Sequence, residues 1–304
     1  MHCLKINNIP YNVPSSWNEL SRKQLLNLVD MYNKQYSFTE LSVKLLLIIT
    51  GLRLVFVTGY TASGFGITSE VYQFRHGRHV FIVDTKDIIL AAGKLQFLFR
   101  IIDENGQKHY MLYSKLSKNL MPDISFGIPF FKTTWYGPSD SITNIKFSEF
   151  IHTETAYEKL METGNDEYLN RLVAILYRPS GKTKLNDPNF RGDIREPFND
   201  FMIDRRSKRA MFIADNIKIA ILLYYTGCRL ALTKIFPDVF GGSGSTGTDT
   251  FKSYMNLVET LANYDITKKE DIRNAYLYDV LLTLNQSILR DREREKELKK
   301  MRRV

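Results

Sequence analysis

Cysteine is scarce. Cys3 and Cys228 are the two cysteines and stand 225 positions apart, so the sequence holds no disulfide framework and too few thiols for a thiolate metal site. That usage points to a reducing compartment. Long apolar runs are missing as well: the most apolar helical stretch, Ile219 to Tyr225, is bounded by Lys218 and by Gly227 and Arg229, far short of the ~20 residues a membrane span needs. No membrane partner is expected. The opening MHCLKINNIPYN has no basic segment followed by an apolar stretch of about seven or more residues, so a secretory signal is not expected either. Low-complexity sequence is confined to Gly241 to Asp249, and no repeat of fixed period is found.

What is present describes an ordinary folded protein. With 44% hydrophobic and 25% charged residues, the chain lies outside the regime of disorder, and 304 residues suit two domains of common size. The net charge of +9 favours contact with nucleic acid, an acidic protein or an anionic surface without choosing among them. Part of it lies in residues 290–304, where eight Lys and Arg face four Asp and Glu.

Hydrophobic periodicity and capping residues predict the elements. Ser16 to Glu19 and Ser21 to Gln24 read as capping boxes, the second opening a helix to Tyr32, and Ser37 to Glu40 opens another that ends near Gly51. The pattern then turns to period two over Leu54 to Thr58, Val71 to Phe74 and Val80 to Val83. A helix carrying Ile88, Ile89, Ala92 and Leu95 follows, and Asn105-Gly106 between Leu98 to Ile102 and His109 to Tyr113 marks a hairpin. Met121 to Ser141 reads as an irregular connection. Helices are predicted over Phe147 to Thr163, Glu167 to Tyr177, Phe198 to Phe236 with a break near Ala214 to Asn216, Thr250 to Asn263, and Lys269 to about Arg303. The expected class is α+β and mainly helical. Residues 1–125 form a small α+β module, 126–240 a helical domain, 241–249 a flexible Gly/Ser/Thr linker and 250–304 a C-terminal helical hairpin with a charged tail.

Motifs of catalysis are incomplete. Gly181-Lys182-Thr183 matches the end of a phosphate-binding loop, but Leu176 occupies the required glycine position and a helix rather than a strand precedes it. Gly59 to Gly66 lacks the third glycine of a dinucleotide turn. His76 and His79 have no evident third ligand. Cys228 lies in an apolar helix, where a thiol behaves as a small hydrophobe, and Asp103 and Glu104 sit beside a turn. No catalytic, metal or cofactor residue is assigned, and an enzyme is not expected.

Two patterns remain as interaction candidates. Arg205, Arg206, Lys208 and Arg209 form the densest basic cluster before the tail; on a helix they would cover more than half the circumference, as a phosphate-binding surface, an acidic-partner contact or a solvated face. Leu277, Leu281, Leu284 and Ile288 form an apolar seam, which would bind a partner or pack against the chain's own Phe251 to Leu261 helix.

Pro14-Ser15-Ser16-Trp17-Asn18-Glu19-Leu20, Leu176-Tyr177-Arg178-Pro179, Ala220 to Arg229, Phe236-Pro237-Asp238-Val239-Phe240, the Gly-rich segment and Tyr276-Leu277-Tyr278-Asp279-Val280-Leu281 occur in this order. Together they resemble morphogenesis proteins of tailed phages and prophages of Bacteroidetes-type bacteria. The resemblance implies a non-enzymatic tail-assembly protein, either a chaperone for another tail protein or a structural head-to-tail or tail component. Phage tail or head-to-tail proteins would be its partners, with self-association left open, in the host cytoplasm or the virion. A nucleic-acid-binding protein using a basic helical surface is the alternative.

Overall fold

A computed structural model of the protein describes residues 1–6, 9–34, 36, 38–61, 68–76, 79–104, 107–128, 132–181, 192–240 and 250–301. It is mainly helical with small antiparallel sheets, and it divides into two compact units, Met1–Leu116 and Ser117–Val304.

The first unit opens with the hairpin β1 (His2–Ile6) and β2 (Ile9–Val13). The box expected at Ser16 gives way to one 3-10 turn, Trp17–Glu19, because Glu19 instead accepts from the Ser15 amide at 2.7 Å and the Ser15 hydroxyl at 3.0 Å. The box at Ser21 and Gln24 forms and opens α1 (Arg22–Tyr32). Next comes α2 (Phe38–Thr50), which ends at Gly51, whose φ of +71° suits a residue without a Cβ; Ser37, the cap expected there, lies outside the described residues. The period-two block is a three-stranded sheet of β3 (Arg53–Thr61), β4 (Thr68–His76) and β5 (His79–Asp84). Helix α3 (Thr85–Ala92) packs on α2, and β6 (Phe99–Glu104) pairs with β7 (Gln107–Leu112). The Asn105-Gly106 turn is outside the described residues. Trp17, Leu25, Leu28, Val29, Leu45, Leu46 and Phe74 supply the core.

The second unit begins in the segment expected to be irregular, which holds a short hairpin of β8 (Asp123–Phe126) and β9 (Thr133–Tyr136). Its strands are four residues each, too short for alternation to stand out among prolines and glycines. Trp135 is fully buried against the edge of Phe126. Beyond lie α4 (Phe147–Thr163), α5 (Asp166–Leu176), α6 (Ile203–Ala210), α7 (Asp215–Ile235), α8 (Pro237–Phe240), α9 (Thr250–Leu261), α10 (Ile266–Asn274) and α11 (Leu277–Met301). Helix α4 packs against α5, α9, α10 and α11, and α5 against α6 and α7. The division into two units falls after Leu116, and residues 126–240 lie in the same unit as the C-terminal helices. The linker 241–249 lies outside the described residues.

One helix expected from Lys269 onward is broken at Ala275 and Tyr276. There the backbone pairs sideways, with the Phe147 amide donating to the Ala275 carbonyl at 2.9 Å and the Leu277 amide to that of Ile145 at 3.0 Å.

Tyr177 is fully buried, and its hydroxyl hydrogen-bonds the Met121 carbonyl at 2.8 Å and Asn119 Oδ1 at 3.1 Å. A Cβ on Gly137 would fall 2.5 Å from Tyr177 Cζ and 2.8 Å from Asn119 Nδ2. Gly137→Ala should therefore destabilise the second unit by ~1–3 kcal/mol through overpacking. Urea unfolding followed at Trp135, in a common Trp17→Phe background, checks this; an unchanged midpoint would show that the ring gives way freely.

Candidate functional site

Burying a charge is costly unless it is paired and hydrogen-bonded, and the second unit buries several. Glu149, on the inner face of α4, is 1% exposed, and Arg178, two residues past α5, is also 1% exposed. Pro179 stops α5 from running on, which leaves the Arg178 side chain to turn inward. Its Nη1 donates to Glu149 Oε2 at 2.9 Å and its Nη2 to Oε1 at 3.2 Å. Arg195 reaches the same carboxylate, with Nη1 3.3 Å from Oε2, and donates from Nε and Nη2 to Asp193 at 2.9 and 2.7 Å. The remaining donors meet carbonyls: Arg178 Nε that of Glu196, its Nη1 that of Ile175, and Arg195 Nη1 that of Leu176. Burial works against both cations; it prevails at Arg178, whose pKa is lowered, whereas Glu149 and Asp193 outweigh it at Arg195, whose pKa is raised. Two guanidiniums and two carboxylates thus neutralise one another, and every guanidinium nitrogen of the two has an acceptor.

Above this cluster lies a cleft of about 610 Å³, walled by Lys146, Gly181, Phe198, Asn274 and Tyr276. Lys146 Nζ sits 3.4 Å from the centre of the Tyr276 ring, a cation–π contact that also covers the break between α10 and α11. A neighbouring cleft of about 460 Å³ shares Phe198 and Asn274 and adds His152, Phe201, Phe251 and Arg273. In it the imidazole of His152 lies between Phe198 and Phe251, 5.5 and 5.3 Å away. Burial lowers the His152 pKa, with Asp200 opposing.

A second buried network ties the C-terminal piece to the body. Glu154, fully buried on α4, accepts from the Tyr225 hydroxyl at 2.6 Å and from Arg229 Nε at 2.9 Å, both on α7. Arg229 also lies 3.5 Å from Glu158, which accepts from Thr250 at the start of α9. Burial pushes the Glu154 carboxyl above its ordinary value and the Tyr225 phenol well above its own.

The four side chains of the basic cluster named from the sequence do not all face outward. Arg206 is buried and paired with Glu196, and its Nε and Nη1 have no hydrogen-bond partner among the described residues. Arg205, Lys208 and Arg209 are exposed, and Arg209 donates to Thr133 at 3.1 Å. In the C-terminal seam, Leu277, Leu281 and Leu284 are buried and Ile288 is half-buried. These residues fill the unit's own core, where α11 packs on α8 and α4. Cys228 is buried, and burial pushes its thiol up to about 12. Lys182 and Thr183 lie outside the described residues, as do the side chains of His76 and His79. Among the described residues no three His, Cys, Asp or Glu side chains converge as a metal site would, and no helix is long and apolar enough to cross a membrane.

Removing Glu149 takes from buried Arg178 its close carboxylate and leaves two guanidiniums to share Asp193, so Glu149→Ala should cost the second unit ~3–5 kcal/mol, whereas Lys159→Ala, which breaks an exposed pair with Glu162, should cost under ~1 kcal/mol. Equal midpoints in chemical denaturation would contradict the role given to Glu149. His152 gives a second test. Because its folded pKa lies below the ordinary 6.5, the folded unit binds fewer protons than the unfolded chain. Stability is complete above that value and declines as pH falls through the folded one. His152→Gln should flatten this part of a melting-temperature profile. No family model, no curated protein and no solved structure matches the chain, and its own residues carry the functional reading.

Proposed function

We propose that the chain is a non-enzymatic assembly protein of the tailed-phage type, a chaperone for another tail protein or a tail or head-to-tail component. It would act in the host cytoplasm or be carried into the virion. The observation that carries this reading is the two-part character of α11. Its first half is fixed in the core through Leu277, Val280, Leu281 and Leu284, and Tyr278 donates to the Ser141 carbonyl at 3.0 Å. Its second half, Leu289 to Met301, is exposed along its whole length, which is ~20 Å of helix. Arg292 pairs with Asp238 and ties the start of this arm to α8.

The arm gains little helical stability from its own charges. Like signs stand four residues apart at Arg290 and Arg294, Asp291 and Glu295, Arg292 and Lys296, and Glu293 and Glu297, while opposite signs stand three apart, as in Arg294 with Asp291 at 3.9 Å, so the pairs largely offset one another. A short solvated helix is marginal in water on its own. Leu289, Leu298 and Met301 are nonetheless exposed along it, and docking on a partner would stabilise it. Exposed Arg205, Lys208 and Arg209 on α6 favour nucleic-acid binding as the second reading.

Affinity capture from the native host, with nuclease, separates the two. Tagged full-length chain should retain phage tail or head-to-tail proteins, and a chain ending at Ile288 should lose them while keeping its fold, since residues 289–301 are exposed. Recovery that vanishes with nuclease would overturn the assembly reading in favour of nucleic acid.

A further inference from the structure

From Met202 to Met211 the backbone stays in the right-handed helical region, so residues 201, 205, 208 and 212 fall on one line along a helix face. Phe201, Arg205, Lys208 and Phe212 occupy it. The opposite face, Ile203, Arg206, Ser207 and Ala210, is buried. Phe201 is 91% exposed and Phe212 76%, with Met211 beside it at 64%, so this face carries an uncovered large apolar side chain at each end. Asp204, the acid on this face, is held by Arg171 at 2.7 Å. Arg205 and Lys208 have no carboxylate partner among the described residues.

We propose that this face of α6 docks an acidic amphipathic helix of a partner protein. Apolar side chains ~16 Å apart on the partner would meet Phe201 and Phe212, and carboxylates between them would pair with Arg205 and Lys208. The proposal rests on the reading of the chain as a protein-binding assembly factor and names the kind of partner it takes. Charge complementarity selects the occupant: two cations between two apolar anchors match an acidic amphipathic helix, which fills both kinds of contact, whereas a phosphate backbone would meet the cations beside the Asp204 carboxylate and leave the two apolar anchors uncovered. Phe201 also lines the cleft beside His152 and Phe251, so a partner side chain meeting the first anchor finds a concave seat.

The test is fluorescence anisotropy on the full-length chain. The probe is a labelled helical peptide of about 18 residues with two leucines about eleven positions apart and glutamates between them. Comparison probes carry lysine for glutamate or alanine for leucine, and a single-stranded oligonucleotide completes the set. The acidic peptide should bind, weaken with salt, and lose at least about tenfold in affinity in F201A/F212A and in R205E/K208E. The charge-reversed variant should instead prefer the lysine peptide. Circular dichroism checks that the variants, altered only at exposed positions, keep their fold. Absence of peptide binding, binding indifferent to both variants, or preference for the oligonucleotide would overturn the proposal. If the peptide fails while full-length chain still captures tail proteins after nuclease, the α6 face is wrong and the assembly reading stands.

Discussion

One carboxylate, Glu149, is shared by two buried guanidiniums, and the second unit is arranged around that sharing. Arg178 brings the end of α5 to α4, and its backbone pairs with Tyr136, which holds the hairpin of β8 and β9 in place. Arg195 brings in the segment 193–196, whose last residue, Glu196, pairs with Arg206 on α6. The direction in which α6 faces outward therefore traces back, one ion pair at a time, to Glu149. Such clusters add little net stability compared with apolar packing, but breaking one member is expensive. The arrangement thus favours one orientation of these elements over near alternatives.

The second network performs a parallel task for the C-terminal helices. Glu154, Tyr225 and Arg229 join α4 to α7, and Glu158 continues the contact to Thr250 on α9. Together with the sideways backbone pairing at Ala275 and Leu277, this makes the residues after the Gly-rich segment part of the body. The far half of α11 and one face of α6 remain exposed.

Much of the architecture is legible in the sequence. The periodicity of Phe147 to Thr163 matches the bounds of α4, the Ser21 box opens α1, and Pro179 marks the end of α5. The buried charges are not legible, because periodicity treats Glu149 and Glu154 as polar positions that should face water, and only tertiary partners reverse this. Arg178 carries a faint signal, a cation between a buried Tyr177 and a helix-ending proline. The seam of Leu277, Leu281 and Leu284 reads as apolar, but sequence spacing does not say whose surface covers it. The basic run 205–209 reads as one patch because composition does not distinguish Arg206, turned inward to Glu196, from its exposed neighbours.

Native-state hydrogen exchange on the full-length chain, followed by mass spectrometry, tests the dependence on Glu149 most directly. If the ion pairs hold the unit as described, the amides of 147–151, 173–178, 194–196 and 203–210 open together in one cooperative step, while 293–301 exchange far faster. Opening of 203–210 on its own, at a free energy well below that of 147–151, would contradict the account.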